Sequence, residues 1–438
     1  MTFIRAVFIA LLLAIGTVLP AQTFTYTDTE IRDFHRADMK IILTKEGECH
    51  FWLVSQNRVL LYRYDEHFRF KDRQRFAFKN AMVSLARTND GYLIVLSGNE
   101  KKAIYQWKKG EPDPLQNTPL NEKLRASQAS YVQVLLSDST IFLVQLSIPA
   151  RNTAGAVEVD FFDHAFKLIK ARHASVADIN FAYPSFTFNT IGERLFFSYT
   201  INLHKQGGIH LLAFDANTDM PKSRLVQRGD LVFMDQTMLV QGGEIFVKAT
   251  AADSSTKTSD FLNYAVHVDT GLTVKSTELL AKTRYPTYWK TGYRYVPQSF
   301  FSLPNKGFMV LDNAYPIKLV VHSKDSTYMR FIELDSNLQL IKSLHFPMVY
   351  VEMRALFVTE IAGSLKWFST DLDKNGKRQL SSFSIENDLP KPDEAYRLMP
   401  EVDYLPEYAV QVAPGIIIVP YVKKAGKWGL VKINWNAN

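Results

Sequence analysis

Over 438 residues, 51 Lys and Arg stand against 44 Asp and Glu, a net charge of only +7, and 47% of positions are hydrophobic. A chain this long and this apolar can bury a large core, which excludes a disordered polymer. Its cations are spread along the chain, which excludes the concentrated basic footprint of a nucleic-acid binder.

The first residues read as a leader. Met1–Arg5 ends in one positive charge, the apolar run Ala6–Leu19 follows, and Ala21 supplies a small residue for cleavage. That order is the grammar of a secretory signal peptide. The run is short for a spanning helix, which needs about 20 apolar residues. The expectation is a signal peptide over 1–21 and a single domain over 22–438, with no later transmembrane segment. The mature protein is then exported, periplasmic or at the cell surface. Cys49 is the one cysteine, so no internal disulfide forms; it reads as a small buried residue, and the lack of bridges fits a bacterial envelope.

Next comes an alternating strand, Thr23-Phe24-Thr25-Tyr26-Thr27, and then one device repeats. A turn residue precedes a short, very apolar run: Gly47 before Phe51–Val54, Gly91 before Tyr92–Leu96, Ser139 before Ile141–Val144, and Gly192 before Leu195–Phe197. Gly243, Gly307, Gly363 and Gly415 continue the series. These positions are separated by 44, 48, 53, 51, 64, 56 and 52 residues. Another strand-like stretch precedes each turn, as a β-hairpin requires. A second marker keeps the same period: an apolar residue and then an acid, at Asp65, Asp163, Asp215, Asp269, Asp335 and Glu386, with Trp107-Lys108 and Trp435-Asn436 in the remaining two places. Asp at the first position of a turn can accept from the backbone two residues on. The basic stretch Arg69–Arg75 reads as an outer edge strand whose charges discourage edge-to-edge pairing.

Each unit therefore reads as four strands, inner to outer. Such radial repetition resembles the β-propeller superfamily. The expectation is an all-β, eight-bladed propeller of four-stranded antiparallel blades, with seven blades as the alternative. Strand 23–27 is expected to close the ring by pairing with the last unit, which otherwise has three strands. Quinone-dependent dehydrogenases and outer-membrane assembly proteins with eight-unit rings carry a motif resembling Ala-x-Asp-x-x-Thr-Gly-x-x-x-Trp. Here His267-Val268-Asp269-Thr270-Gly271 resembles it once, with no Trp following, and Gly426–Leu430 resembles a Trp-Gly repeat once. Neither assigns a family.

Chemistry is sparse. Asp371–Gly376 resembles half of an EF-hand loop, but Ser382 stands where the bidentate acid belongs, and Asn375-Gly376 is a favoured hairpin turn. His204 and His210 flank Gly207-Gly208 with no third ligand evident. No serine elbow, phosphate loop or zinc-protease motif occurs. No metal or cofactor is expected.

The longest step between units contains Tyr285, Tyr288, Trp289, Tyr293, Arg294 and Tyr295, all within 285–297. Propeller geometry puts this connection on a ring face, where loops carry function. Tyr, Trp and Arg are the residue types enriched at binding hot spots. Tyr183 and Tyr404 enter neighbouring units at the equivalent place. The functional expectation is an exported, non-enzymatic binding or scaffold protein, a monomeric ring that recognises a protein or glycan partner through these eight residues. The alternative is a carbohydrate-active hydrolase or lyase with carboxylates at the ring axis; a quinone- or metal-dependent oxidoreductase is a weaker third.

Overall fold

The computed structural model describes residues 23–27, 38–284, 299–314, 327–348, 354–396 and 402–434, apart from a few short stretches inside those ranges. Seven antiparallel sheets of four strands succeed one another along the chain, each traced in sequence order. The first comprises Asp38–Leu43, Cys49–Ser55, Arg58–Tyr64 and Phe70–Phe76. The first strands of consecutive sheets approach one another, so the sheets radiate from a common axis. This is a β-propeller.

The terminal strands make a further sheet. Lys427–Asn434 pairs with Ile416–Lys423 on one side and with Thr23–Tyr26 on the other, and Phe24 lies opposite Ile433. Thr27 extends the closure: its N–H donates to the Leu430 carbonyl at 3.0 Å, and its Oγ1 accepts from the Leu430 N–H at 3.1 Å. The expected pairing of the 23–27 strand with the last unit is therefore present. Two short strands, Val402–Tyr404 and Val410–Ala413, pair with successive parts of Ile416–Lys423, which splits the innermost position of this sheet in two.

The core lies between sheets rather than within one. Second strands are buried on both faces; Tyr92 to Ser97 form an unbroken buried run. That explains their continuous apolar sequence, since each face packs on a different neighbour. One cluster joins Phe142, Val159 and Phe161 of the third sheet to Phe188, Phe197 and Phe214 of the fourth. Another joins Phe51 and Tyr64 of the first sheet to Ile418, Trp428 and Leu430 of the terminal sheet. Outer strands have one wet face, so Phe70–Phe76 alternates exposed and half-buried residues as its charge pattern implies.

Among the described residues both turn markers fall where expected. The glycine turns join first to second strands, and Gly47 takes φ +85°, which a side chain would strain. The acid marker joins third to outer strands through one recurring turn. In four sheets the Asp Oδ1 accepts from the N–H groups two and four residues on: His67 and Arg69 at 2.9 and 2.8 Å from Asp65, and Gly271 and Thr273 at 2.8 Å from Asp269. Asp163 and Asp335 repeat this. The residue three after each Asp adopts a left-handed backbone: Phe68, Phe166, Leu272 and Leu338, with φ of 62 to 68°. Glycine is usual at this position of a bulged hairpin. Here Phe68, Leu272 and Leu338 are buried, and burying such a side chain contributes about 1.5–3 kcal/mol, which offsets a backbone strain of about 1–3 kcal/mol.

One helix was not foreseen from the sequence. Pro119–Ala126 connects the second sheet to the third, capped by Thr118, whose Oγ1 accepts from Asn121 N–H at 3.3 Å. Pro119 sits at its start, where its missing N–H is not needed. Leu120 and Leu124, one turn apart, are fully buried against the second and third sheets.

Candidate functional site

The two kinds of turn just described lie at one rim of the sheets. The opposite rim carries the connections between second and third strands and those between sheets. Of the sequence-predicted binding residues, Tyr285, Tyr288, Trp289, Tyr293, Arg294, Tyr295 and Tyr183 lie outside the described residues. Tyr404 ends the strand Val402–Tyr404 opposite Tyr421, in the terminal sheet, and Leu405 after it is fully buried. The strands that flank the aromatic stretch, Val274–Arg284 and Ser299–Ser302, belong to the fifth and sixth sheets. The Asn375-Gly376 turn and His204 are also outside the described residues. His210 meets the buried Tyr199 hydroxyl at 2.5 Å through Nδ1, and burial lowers its pKa.

A cleft of ≈ 410 Å³ opens on the connection-bearing rim between the second and third sheets. The hairpin connection after Gly91–Ser97 forms one wall, and the last turn of the helix with the segment following it forms the other. Lys101, Lys102 and Arg125 line it, against a single acid, Glu100, which stands 3.8 Å from Lys79. Lys102 Nζ donates to the carbonyls of Ser127 and Ala129 at 2.6 and 3.1 Å, tying the two walls together. Burial lowers the Lys102 pKa from the ordinary lysine range. Gly98 lets the hairpin approach the segment ahead of the second sheet closely, since a Cβ there would meet the Lys79 carbonyl at 2.8 Å. Sequence reading passed over this cleft. Its signals were adjacent lysines just after a glycine in a strand connection, and a Thr-Pro-Leu-x-x-x-Leu helix start.

The helix anchors through charge as well as packing. Lys123 Nζ lies 3.1 Å from Glu158 and 3.3 Å from Asp160, both on the third sheet. Gln145 donates to the other Asp160 oxygen at 2.9 Å. Burial, reinforced by the neighbouring Glu158, pushes the Asp160 carboxyl up to about 6, against the pull of Lys123.

A second polar cluster sits between the first and second sheets near the opposite rim. His50 is fully buried; its Nδ1 lies 2.7 Å from the Tyr92 hydroxyl and its Nε2 3.3 Å from Glu48. The Trp107 ring meets it edge-on at 4.3 Å. Arg63 lies over Trp107 at 5.1 Å, pairs with Asp72 through both carboxylate oxygens, and donates to the Gly110 carbonyl. Lys108, after Trp107, thus stands where other sheets have Asp, and Arg63 supports the altered turn. Burial holds His50 down at about 4, although Glu48 favours its charged form. Cys49 is buried and its thiol is pushed up to about 12 by that burial, so it is a packing residue as expected.

Among the described residues no group of three or more His, Cys, Asp and Glu side chains is arranged to hold a metal, and no helix is long and apolar enough to cross a membrane. No protein-family model matches the chain, and no curated protein matches it in sequence. Solved structures of similar fold include the WD40 domain of SCAP from fission yeast, at 9% identity and a TM-score of 0.49, covering 95% of this chain and 98% of that one. A prolyl endopeptidase aligns at 9% identity and a TM-score of 0.40 over 93% of this chain, which spans 55% of the peptidase's length. A puromycin-hydrolyzing peptidase of Mycobacterium tuberculosis aligns at 11% identity and a TM-score of 0.40, covering 91% of this chain and 61% of that one.

Proposed function

We propose that this chain is an exported, non-enzymatic binding or scaffold protein built on an eight-bladed ring, with the terminal sheet as the eighth blade. The observation that carries the reading is the closure itself. Thr23–Tyr26 supplies the outer strand of the terminal sheet, whose inner side packs on the first sheet. The seventh sheet approaches the terminal sheet at its other side. A ring held shut by its own terminal strands is a rigid frame, and rigid frames present loops to partners. A protein or glycan partner docks on the rim that carries the sheet-to-sheet connections, with Tyr288, Trp289 and Arg294 of the 285–297 stretch as anchors. Residues 1–21 direct export and are removed.

The test replaces Tyr288, Trp289 and Arg294 together with Ala and measures binding to an array of glycans and candidate envelope proteins. The expected result is lost binding with a melting temperature within a few degrees of the parent. Undiminished binding by the triple variant would remove this stretch from the site.

A further inference from the structure

We infer that the cleft between the second and third sheets is a binding site for an acidic sugar, a uronate unit of an anionic glycan. The site is distinct from the 285–297 stretch, which joins the fifth and sixth sheets, and the inference stands without the docking reading above.

Charge sets the sign of the ligand. Three cations, Lys101, Lys102 and Arg125, face one acid, Glu100, whose nearest cation is Lys79 outside the cleft. Lys102 uses two donors on the Ser127 and Ala129 carbonyls, which leaves one of its three N–H groups for a ligand. Those two bonds also fix the ammonium in place, so little side-chain entropy is lost on binding. Lys101 lies with its Nζ 5.1 Å from the centre of the Phe78 ring, which holds it at the cleft mouth. Arg125 projects exposed from the last helical turn and offers a planar fork suited to a carboxylate.

Shape and lining narrow the class. A volume of ≈ 410 Å³ falls in the range of small-molecule sites, about 300–1,000 Å³. The only large apolar side chain among its described lining residues is Met82, so the cleft has no apolar floor for peptide side chains. Nor do its described lining residues offer an aromatic platform on which nucleic-acid bases could stack. Exposed Gln128 and the second lone pairs of the Ser127 and Ala129 carbonyls are suited to hydroxyl groups. A bare phosphate would leave these unmet, whereas a hydroxyl-rich ring bearing a carboxylate meets both kinds of partner.

The experiment is calorimetric titration of the full chain with a hexamer of galacturonic acid, beside a neutral glucose oligomer of equal length, a glutamate hexapeptide and inorganic phosphate. The uronate is expected to bind with an affinity that falls as salt rises, and the other three to bind at least about tenfold more weakly. Lys101→Gln with Arg125→Gln should weaken the uronate at least about tenfold at unchanged melting temperature. Arg125→Gln alone should give a smaller loss in the same direction, and serves if the double variant folds poorly. Lys170→Gln with Lys222→Gln, which removes two exposed cations elsewhere, should leave binding unchanged. The Tyr288, Trp289 and Arg294 triple variant should also retain uronate binding; loss there alone would move the sugar to the aromatic stretch and overturn the cleft. Equal binding of phosphate or of the peptide, no uronate binding, or an unaffected double variant would each overturn the proposal.

Discussion

The His50 imidazole lies between the Tyr92 hydroxyl and the Glu48 carboxylate, with the Trp107 ring against it and no exposed surface. A neutral ring satisfies both partners at once, with Nε2–H toward Glu48 and Nδ1 accepting from Tyr92. Burial therefore holds the folded-state pKa near 4, below the ordinary value of 6.5. In the unfolded chain His50 binds a proton at a higher pH than in the fold. Its contribution to stability is present above about pH 6.5 and is lost as the pH falls toward 4, by up to about 3 kcal/mol. Asp160 runs the other way, because burial raises its carboxyl to about 6, and its contribution is lost as the pH rises through that value. Comparing His50→Gln with the parent isolates the first effect. The variant should lose less stability between about pH 7 and pH 4.5 in denaturant titrations, and parallel curves would sink the assignment.

The third-to-outer hairpin is the element that recurs most faithfully. Its Asp satisfies two N–H groups and so holds a Phe or Leu in a backbone region that such residues rarely enter. Asp335→Ala should lower stability by about 1 kcal/mol, and Asp335→Asn by much less, since the amide oxygen can still accept. An unchanged denaturation midpoint for the alanine variant would show the Leu338 conformation to be fixed by packing alone. This element was legible because its chemistry is local: Asp, two residues and an apolar side chain suffice to write the turn. The helix at Pro119–Ala126 was less legible, since two leucines one turn apart are too short a periodic signal beside the prolines that precede it. Those prolines shorten the outer strand of the second sheet to Pro112–Pro114, where an edge position tolerates missing N–H groups. The cleft was illegible for a different reason. Lys101 and Arg125 are ordinary surface cations until the Lys102 bonds to Ser127 and Ala129 bring their two segments together. The aromatic stretch was singled out by composition, a signal that names residues without giving them a geometry.

For the molecule as a whole, the period of about fifty residues and the two turn markers carried the propeller architecture, because each sheet repeats the same local pattern and packs on its neighbours. What closes it is not local. Phe24 opposite Ile433 and Thr27 against Leu430 are the contacts that cover the outer edge of Lys427–Asn434. Without them that strand presents a row of open backbone groups, and open edges pair with other chains. A chain starting at Asp38 should therefore self-associate and melt well below the parent, measured by light scattering and thermal unfolding. A monomer of parental stability would show the terminal sheet to be self-sufficient.

The same seam also sets an order of events. Thr27 and Leu430 lie 403 residues apart in sequence, so the Thr23–Tyr26 strand has no such partner until Lys427–Asn434 has been polymerised. Contacts of such long range are slow to form. The latch therefore stays open through synthesis, and through any later passage made unfolded, until Lys427–Asn434 is free to receive it.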